Sequence, residues 1–153
     1  AAPADSAWLL ELAELLLSQT TNWTNTFTNT TAREHVVNTA QGLKTPVMRY
    51  LLSGKAADKN AFETGLLNIS IDHGRIDDLP NADEGASDNK PTRGTELCGI
   101  VESMLSTEIA LNALGEVSIA VRLQLSAGSL RTRLSRRLLL HFAESGAGHR
   151  RKP

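Results

Sequence analysis

The 153-residue chain reads as an all-α protein, and three observations carry that reading. Apolar residues recur at helical intervals in four separate stretches. Gly54 and Gly115 stand where two of those stretches stop, the position a helix C-terminus favours for glycine. No two alternating segments are joined by residues with hairpin chemistry.

The elements follow in chain order. Residues 6–18 place leucine pairs beside Glu11 and Glu14 behind a capping serine, which predicts a first amphipathic helix. Residues 19–33 are crowded with Thr and Asn, whose side chains compete for backbone hydrogen bonds, so a loop is expected there, anchored by Trp23 and Phe27. Residues 34–53 set Val36, Val37, Ala40, Leu43, Val47, Tyr50 and Leu51 on one face of a second helix. Pro46 inside it should kink it or divide it in two. After a turn at 54–57, residues 58–71 carry Phe62, Leu66, Leu67, Ile69 and Ile71, a third helix whose end drifts toward strand-like alternation. Residues 72–93 combine Gly74, Pro80, Gly85 and Pro91 with many acids and no period. That predicts a long loop, and long loops in compact domains are usually functional or disordered. A fourth helix is expected from about Thr95 to Leu114, capped by Thr92 or Thr95, with Leu97, Ile100, Val101, Met104, Leu105 and Ile109 as its apolar face. Glu116 begins a fifth.

The net charge of −1 hides a division along the chain. Up to Ala120 there are eight basic against sixteen acidic residues, and from Val121 onward eight against one. The expected organisation is therefore one domain over residues 1–123 and a basic, atypical tail over 124–153, read as the product of a frame shift near Val121. The rival reading of the tail is a basic amphipathic helix, with Leu130, Leu134, Leu138 and Phe142 at four-residue spacing. One cysteine excludes an internal disulfide, and no apolar run is read as a membrane span. Sequons at Asn22, Asn29 and Asn68 suggest a secreted protein, and a start at Ala1 without a signal peptide suggests a processed or partial chain.

The chemistry-bearing residues cluster between 77 and 98. Asp77, Asp78, Asp83, Glu84 and Asp88 precede Glu96 in one irregular segment. Two carboxylates brought across a pocket could do acid/base work, and the plain alternative is a solvated acidic loop. Glu96 and Cys98 fall in the first turn of the fourth helix, where the macrodipole favours negative charge and should lower the thiol pKa. Both are zinc-ligand types, two short of a tetrahedral set. By composition Cys98 could equally be a small buried hydrophobe, and His35 and His73 core or surface histidines.

These residues also carry a resemblance. The run His35-Val36-Val37-Asn38 through Lys44-Thr45-Pro46, then Tyr50, Ser53-Gly54-Lys55, His73-Gly74-Arg75, Ala82-Asp83-Glu84 and Pro91-Thr92-Arg93-Gly94-Thr95-Glu96-Leu97-Cys98 resembles, in order, the β-L-arabinofuranosidase-like glycoside hydrolases. It covers about residues 6–123. The resemblance implies an incomplete (α/α)6 barrel built of helical hairpins and a retaining hydrolase acting on arabinofuranosides or related sugars. It further implies Glu84 as the catalytic acid/base, His35 as a substrate contact, and Glu96 and Cys98 as two ligands of a zinc ion. The family's downstream cysteine pair has no counterpart, because Cys98 is the only cysteine. Twelve helices of about a dozen residues with connections of about five need roughly 200 residues, so this chain cannot close such a barrel. The expectation is a hydrolase piece inactive alone, with a carbohydrate as partner, neither nucleic acid nor membrane, and self-association through an exposed apolar edge. The alternative is a helical interaction module whose basic tail binds an anionic partner.

Overall fold

The computed structural model describes residues 7–29, 34–74, 79–86, 88–90 and 92–122, with 124, 125 and 128. The readings placed on Arg75, Asp77 and Asp78, and nearly all of those placed on the tail, lie outside these residues. The chain is α-helical. In order come α1 (Ala7–Ser18), α2 (Trp23–Asn29), α3 (Val36–Gly42), α4 (Lys44–Ser53), α5 (Ala56–Asn68) and α6 (Leu97–Leu114). A further helical stretch runs over 117–122.

Three local outcomes differ from expectation, each for a physical reason. The Thr/Asn stretch holds α2 rather than a loop. Asn22 caps it by accepting the Asn25 N–H at 3.1 Å, and the hydroxyl of Thr28 donates back to the Thr24 carbonyl, so these side chains serve the helix instead of competing with it. Trp23 and Phe27 lie one turn apart, both buried, with ring centroids 5.3 Å apart. The second predicted helix divides at Leu43, not at Pro46. Pro46 sits in the first turn of α4, where its missing N–H has no intrahelical partner to lose. The end of α5 does not become strand-like but widens into a π-helical turn, Ile69–His73. After it, β1 (Ala82–Asp83) and β2 (Gly85–Ala86) form a two-residue antiparallel ladder inside the predicted loop.

The core is Trp23, Phe27, Leu43, Val47, Phe62, Ile69, Ala110 and Ile119. Burying Phe27 or Phe62 contributes about 1.5–3 kcal/mol each. Glycines set how closely helices approach these rings. A Cβ at Gly42 would overlap the Trp23 indole and one at Gly65 would overlap the Phe27 ring. Asp58, 4% exposed, ties three helices together: it accepts the hydroxyls of Thr24 at 2.9 Å and Ser53 at 2.8 Å and pairs with Arg49 at 3.4 Å. Gly54 and Gly115 end α4 and α6 in the left-handed conformation, as their positions in the sequence suggest.

The apolar face expected for α6 is only partly the buried one. Ile100 is buried, but Leu97, Val101 and Leu105 are exposed, and α6 turns Gly99, Ser106, Thr107 and Ala110 inward. At 18 residues and a mean hydropathy of 1.3, α6 is long and apolar enough by composition to cross a membrane, a run the sequence reading passed over. Its small residues serve close packing on α3, the most extensive helix contact in the fold. On α1 the leucines at 9, 10, 12, 15 and 16 are exposed together with Trp8.

If ring-over-glycine packing sets the spacing of α2 against α3, Gly42→Ala should lower stability by about 1–3 kcal/mol through overpacking. That loss would come despite the roughly 1 kcal/mol that alanine gains over glycine in a helix. Urea unfolding would show it as a lower midpoint at unchanged slope, and an unchanged or raised midpoint would contradict it.

Candidate functional site

Three segments, residues 34–36 and the nearby pair 82–86 and 94–98, meet where α3 and α6 begin. The α3–α6 contact brings the two N-termini side by side: a Cβ at Gly99 would sit 2.9 Å from a Val36 methyl, and the buried Ser106 hydroxyl donates to the Ala40 carbonyl at 2.7 Å. The short ladder then crosses both helix starts. Val36 N–H donates to the Glu84 carbonyl at 2.9 Å, Ala86 N–H to the Glu34 carbonyl at 3.0 Å, and Ala82 N–H to the Gly94 carbonyl at 3.0 Å. His35 pairs with Gly85 across an antiparallel bridge.

All four residues singled out from the sequence belong to this junction. His35 is exposed and caps α3, its Nδ1 accepting the Val37 N–H at 3.4 Å. Glu84 forms the tip between β1 and β2 in the left-handed region, φ 65°, the one non-glycine residue there among those described. That backbone costs roughly 1–2 kcal/mol, and two contacts hold it: its carbonyl takes the Val36 N–H and its N–H donates to Glu96 Oε1. Its carboxylate-bearing side chain is exposed. Glu96 occupies the N-cap position of α6 that was expected for Thr92 or Thr95, and its side chain does not cap the helix. Instead it spans from the Glu84 amide to the Cys98 thiol, which donates to Oε2 at 3.3 Å.

Cys98 corrects two readings. It is exposed, not a buried hydrophobe. Its pKa is raised rather than lowered, first by partial desolvation and next by the hydrogen bond to the Glu96 carboxylate, which favours the protonated thiol. The backbone N–H groups of the helix start do lower the thiol pKa, but desolvation and the hydrogen bond to Glu96 outweigh them.

Within the acidic loop, Asp83 and Asp88 carry ion pairs while their side chains stay open to solvent. Asp83 accepts the Gly94 N–H at 3.0 Å and pairs with Arg93 at 3.5 Å, and Asp88 pairs with Lys90 and Arg93. The Lys90 ammonium, hydrogen-bonded to Asp88, holds that carboxyl below its ordinary range. Asn81 was missed from the sequence. It is fully buried, and its amide donates to the carbonyls of Asp88 and Lys90, fastening the loop from below. Nothing in the local pattern marks one asparagine of this loop as internal.

As a zinc site the junction supplies two donors of the right type in contact. Among the described residues no group of three His, Cys, Asp or Glu side chains comes together, so these residues do not make a closed tetrahedral site, and no chemical step here runs through a metal. The crevice bordering the junction, lined by Val36 and Ala86, has a volume of about 10 Å³, too small for a sugar ring. No family model, curated protein or solved structure matches this chain.

Replacing the Glu96 carboxylate by its neutral isostere removes both a charge and a strong acceptor from the thiol. Glu96→Gln should therefore lower the Cys98 pKa and raise the rate of alkylation by iodoacetamide at pH 8 several-fold. An unchanged or slower rate would contradict the assigned cause.

Proposed function

We propose that residues 6–123 are part of a retaining glycoside hydrolase of the β-L-arabinofuranosidase-like type, a set of helical hairpins from an (α/α)6 barrel that is inactive by itself. The observation that supports this reading is the meeting of residues 35, 84, 96 and 98 at one junction, drawn from three of the stretches that carry the resemblance. The short α4–α5 hairpin, joined through Gly54 and Lys55, is the kind of unit such a barrel repeats.

In that reading Glu84 is the acid/base that protonates the leaving oxygen of an arabinofuranoside. Its exposed side chain on a backbone held at both N–H and carbonyl suits a group that must meet substrate in fixed geometry. Retention needs a second group on the opposite side of the anomeric carbon, which the resemblance assigns to a downstream cysteine pair with no counterpart here, Cys98 being the single cysteine. His35 would touch the sugar from the start of α3. Glu96 and Cys98 would be two of four zinc ligands, the other two coming from sequence this chain does not contain. Zinc would supply charge stabilisation and hold the thiolate deprotonated. The stripe Leu97, Val101 and Leu105 is an apolar edge through which the chain would self-associate. Secretion is part of the proposal. Asn22 is exposed, and it caps α2 through its carbonyl oxygen, leaving its amide nitrogen for a glycan.

Two measurements on the purified chain test this. Cobalt(II) titration should give a weak sulfur-to-metal charge-transfer band that Cys98→Ala abolishes and Glu96→Gln weakens. An aryl arabinofuranoside should release no p-nitrophenol above the Cys98→Ala background. A chain that binds no cobalt through Cys98 argues against the half-site, and turnover above background refutes inactivity. Salt-sensitive retention on heparin that disappears on deleting residues 125–153 would favour the interaction-module reading instead.

A further inference from the structure

Thr39 lies in the middle of α3, only 2% exposed, and its Oγ1 has no hydrogen-bond partner among the described residues. Two other helical threonines, Thr28 and Thr107, satisfy their hydroxyls by donating to the carbonyl four residues back, each at 2.7 Å. Thr39 does not, although its backbone N–H reaches the His35 carbonyl at 3.1 Å. A buried hydroxyl left unpaired costs on the order of 1–3 kcal/mol, and most buried polar groups in folded proteins are satisfied by protein or by ordered water.

The space beside it is of the right size and character. Thr39, His73 and Ser103 line a crevice of about 10 Å³ with Ile69, Pro80 and Ala86, close to the minimum that admits one water molecule. Its three polar residues come from three elements: α3, the π-helical turn and α6. One water with two to four polar neighbours is a stable internal ligand. A neighbouring cavity of about 20 Å³ shares Ile69, Pro80 and Ser103 and is lined also by Thr107 and Arg122.

We propose that this crevice is an internal water site: a single ordered water accepts or donates at Thr39 Oγ1 and links α3 to the π-helical turn and α6 directly behind the junction of His35 and Gly85. Val36 and Ala86, which follow those two residues, form its outer wall. The water thereby joins the same elements that hold the candidate site, and π-turns are frequent at such places. This inference stands whether or not the hydrolase reading does, because it rests on the hydroxyl and the crevice alone.

The test is water-selective nuclear Overhauser spectroscopy on the full chain, read at the methyl groups of Ile69 and Ala86, which carry no exchangeable protons. The expected result is cross-peaks at the water frequency with the sign of a long-lived molecule, kept in Thr39→Ser and lost in Thr39→Val. The melting temperature of Thr39→Val should fall by about 2–4 °C, since the isostere loses the bridge. A dry crevice gives the opposite: no such cross-peaks in the unmodified chain, and a Thr39→Val protein as stable or more stable, because a valine there removes an unpaired hydroxyl. Absence of the cross-peaks overturns the proposal whatever the melting temperatures do.

Discussion

The closeness of α3 to α6 is the constraint on which the rest depends. α6 meets α3 at Gly99 and Ser106, so the two backbones approach until a glycine hydrogen faces the Val36 methyls. The Ser106 hydroxyl closes the contact by donating to the Ala40 carbonyl inside the interface. Lys44 and Glu102, paired at 3.1 Å, bind the start of α4 to the same helix at the margin. A buried hydrogen bond adds about 1 kcal/mol net and a partly exposed ion pair less, so most of the stabilisation of this contact is packing. Bringing two helix starts side by side has a cost as well, because each N-terminus presents N–H groups without intrahelical partners.

The ladder at 82–86 answers that cost at the start of α3 and creates the candidate site in doing so. Its Glu84 carbonyl takes the first N–H of α3, and the Glu84 N–H finds the carboxylate of Glu96 at the start of α6. His35 and the Glu84 carbonyl are gathered because the start of α3 needs partners, and Glu96 joins them by accepting the Glu84 N–H. Partial desolvation, and next the hydrogen bond to the Glu96 carboxylate, raise the Cys98 thiol pKa. The strained backbone of Glu84 persists because both of its polar backbone groups are held, the situation in which residues with positive φ survive.

Much of this was legible in the sequence, and the failures have causes. The helices at 7–18 and 97–114 and the glycine stops at 54 and 115 follow from periodicity and capping chemistry, which are local. The contacts that join residues 35, 84, 96 and 98 were not predicted by helical spacing. Periodicity assigned the inward face of α6 to its large residues, and Leu97, Val101 and Leu105 turned out to be exposed. An apolar stripe says that a face can be buried, while a second stripe of Gly, Ser and Ala permits a closer approach that hydropathy does not register. α2 was missed because Thr and Asn were read as loop formers when their side chains cap and back-bond within the helix. The π-helical turn and the burial of Asn81, whose amide holds the carbonyls of Asp88 and Lys90, have no periodic signature in the sequence.

The claim most worth testing is that Gly99 packs directly on Val36 and so aligns the starts of α3 and α6. Isotope-edited nuclear Overhauser spectra of the purified chain address it without any substitution. Strong cross-peaks between the Val36 methyl protons and the Gly99 α-protons, accompanied by one from Glu84 N–H to the Val36 N–H, are the predicted result. Their absence in a folded chain, with Val36 showing contacts to other partners, would contradict the account and leave the four residues without a common site.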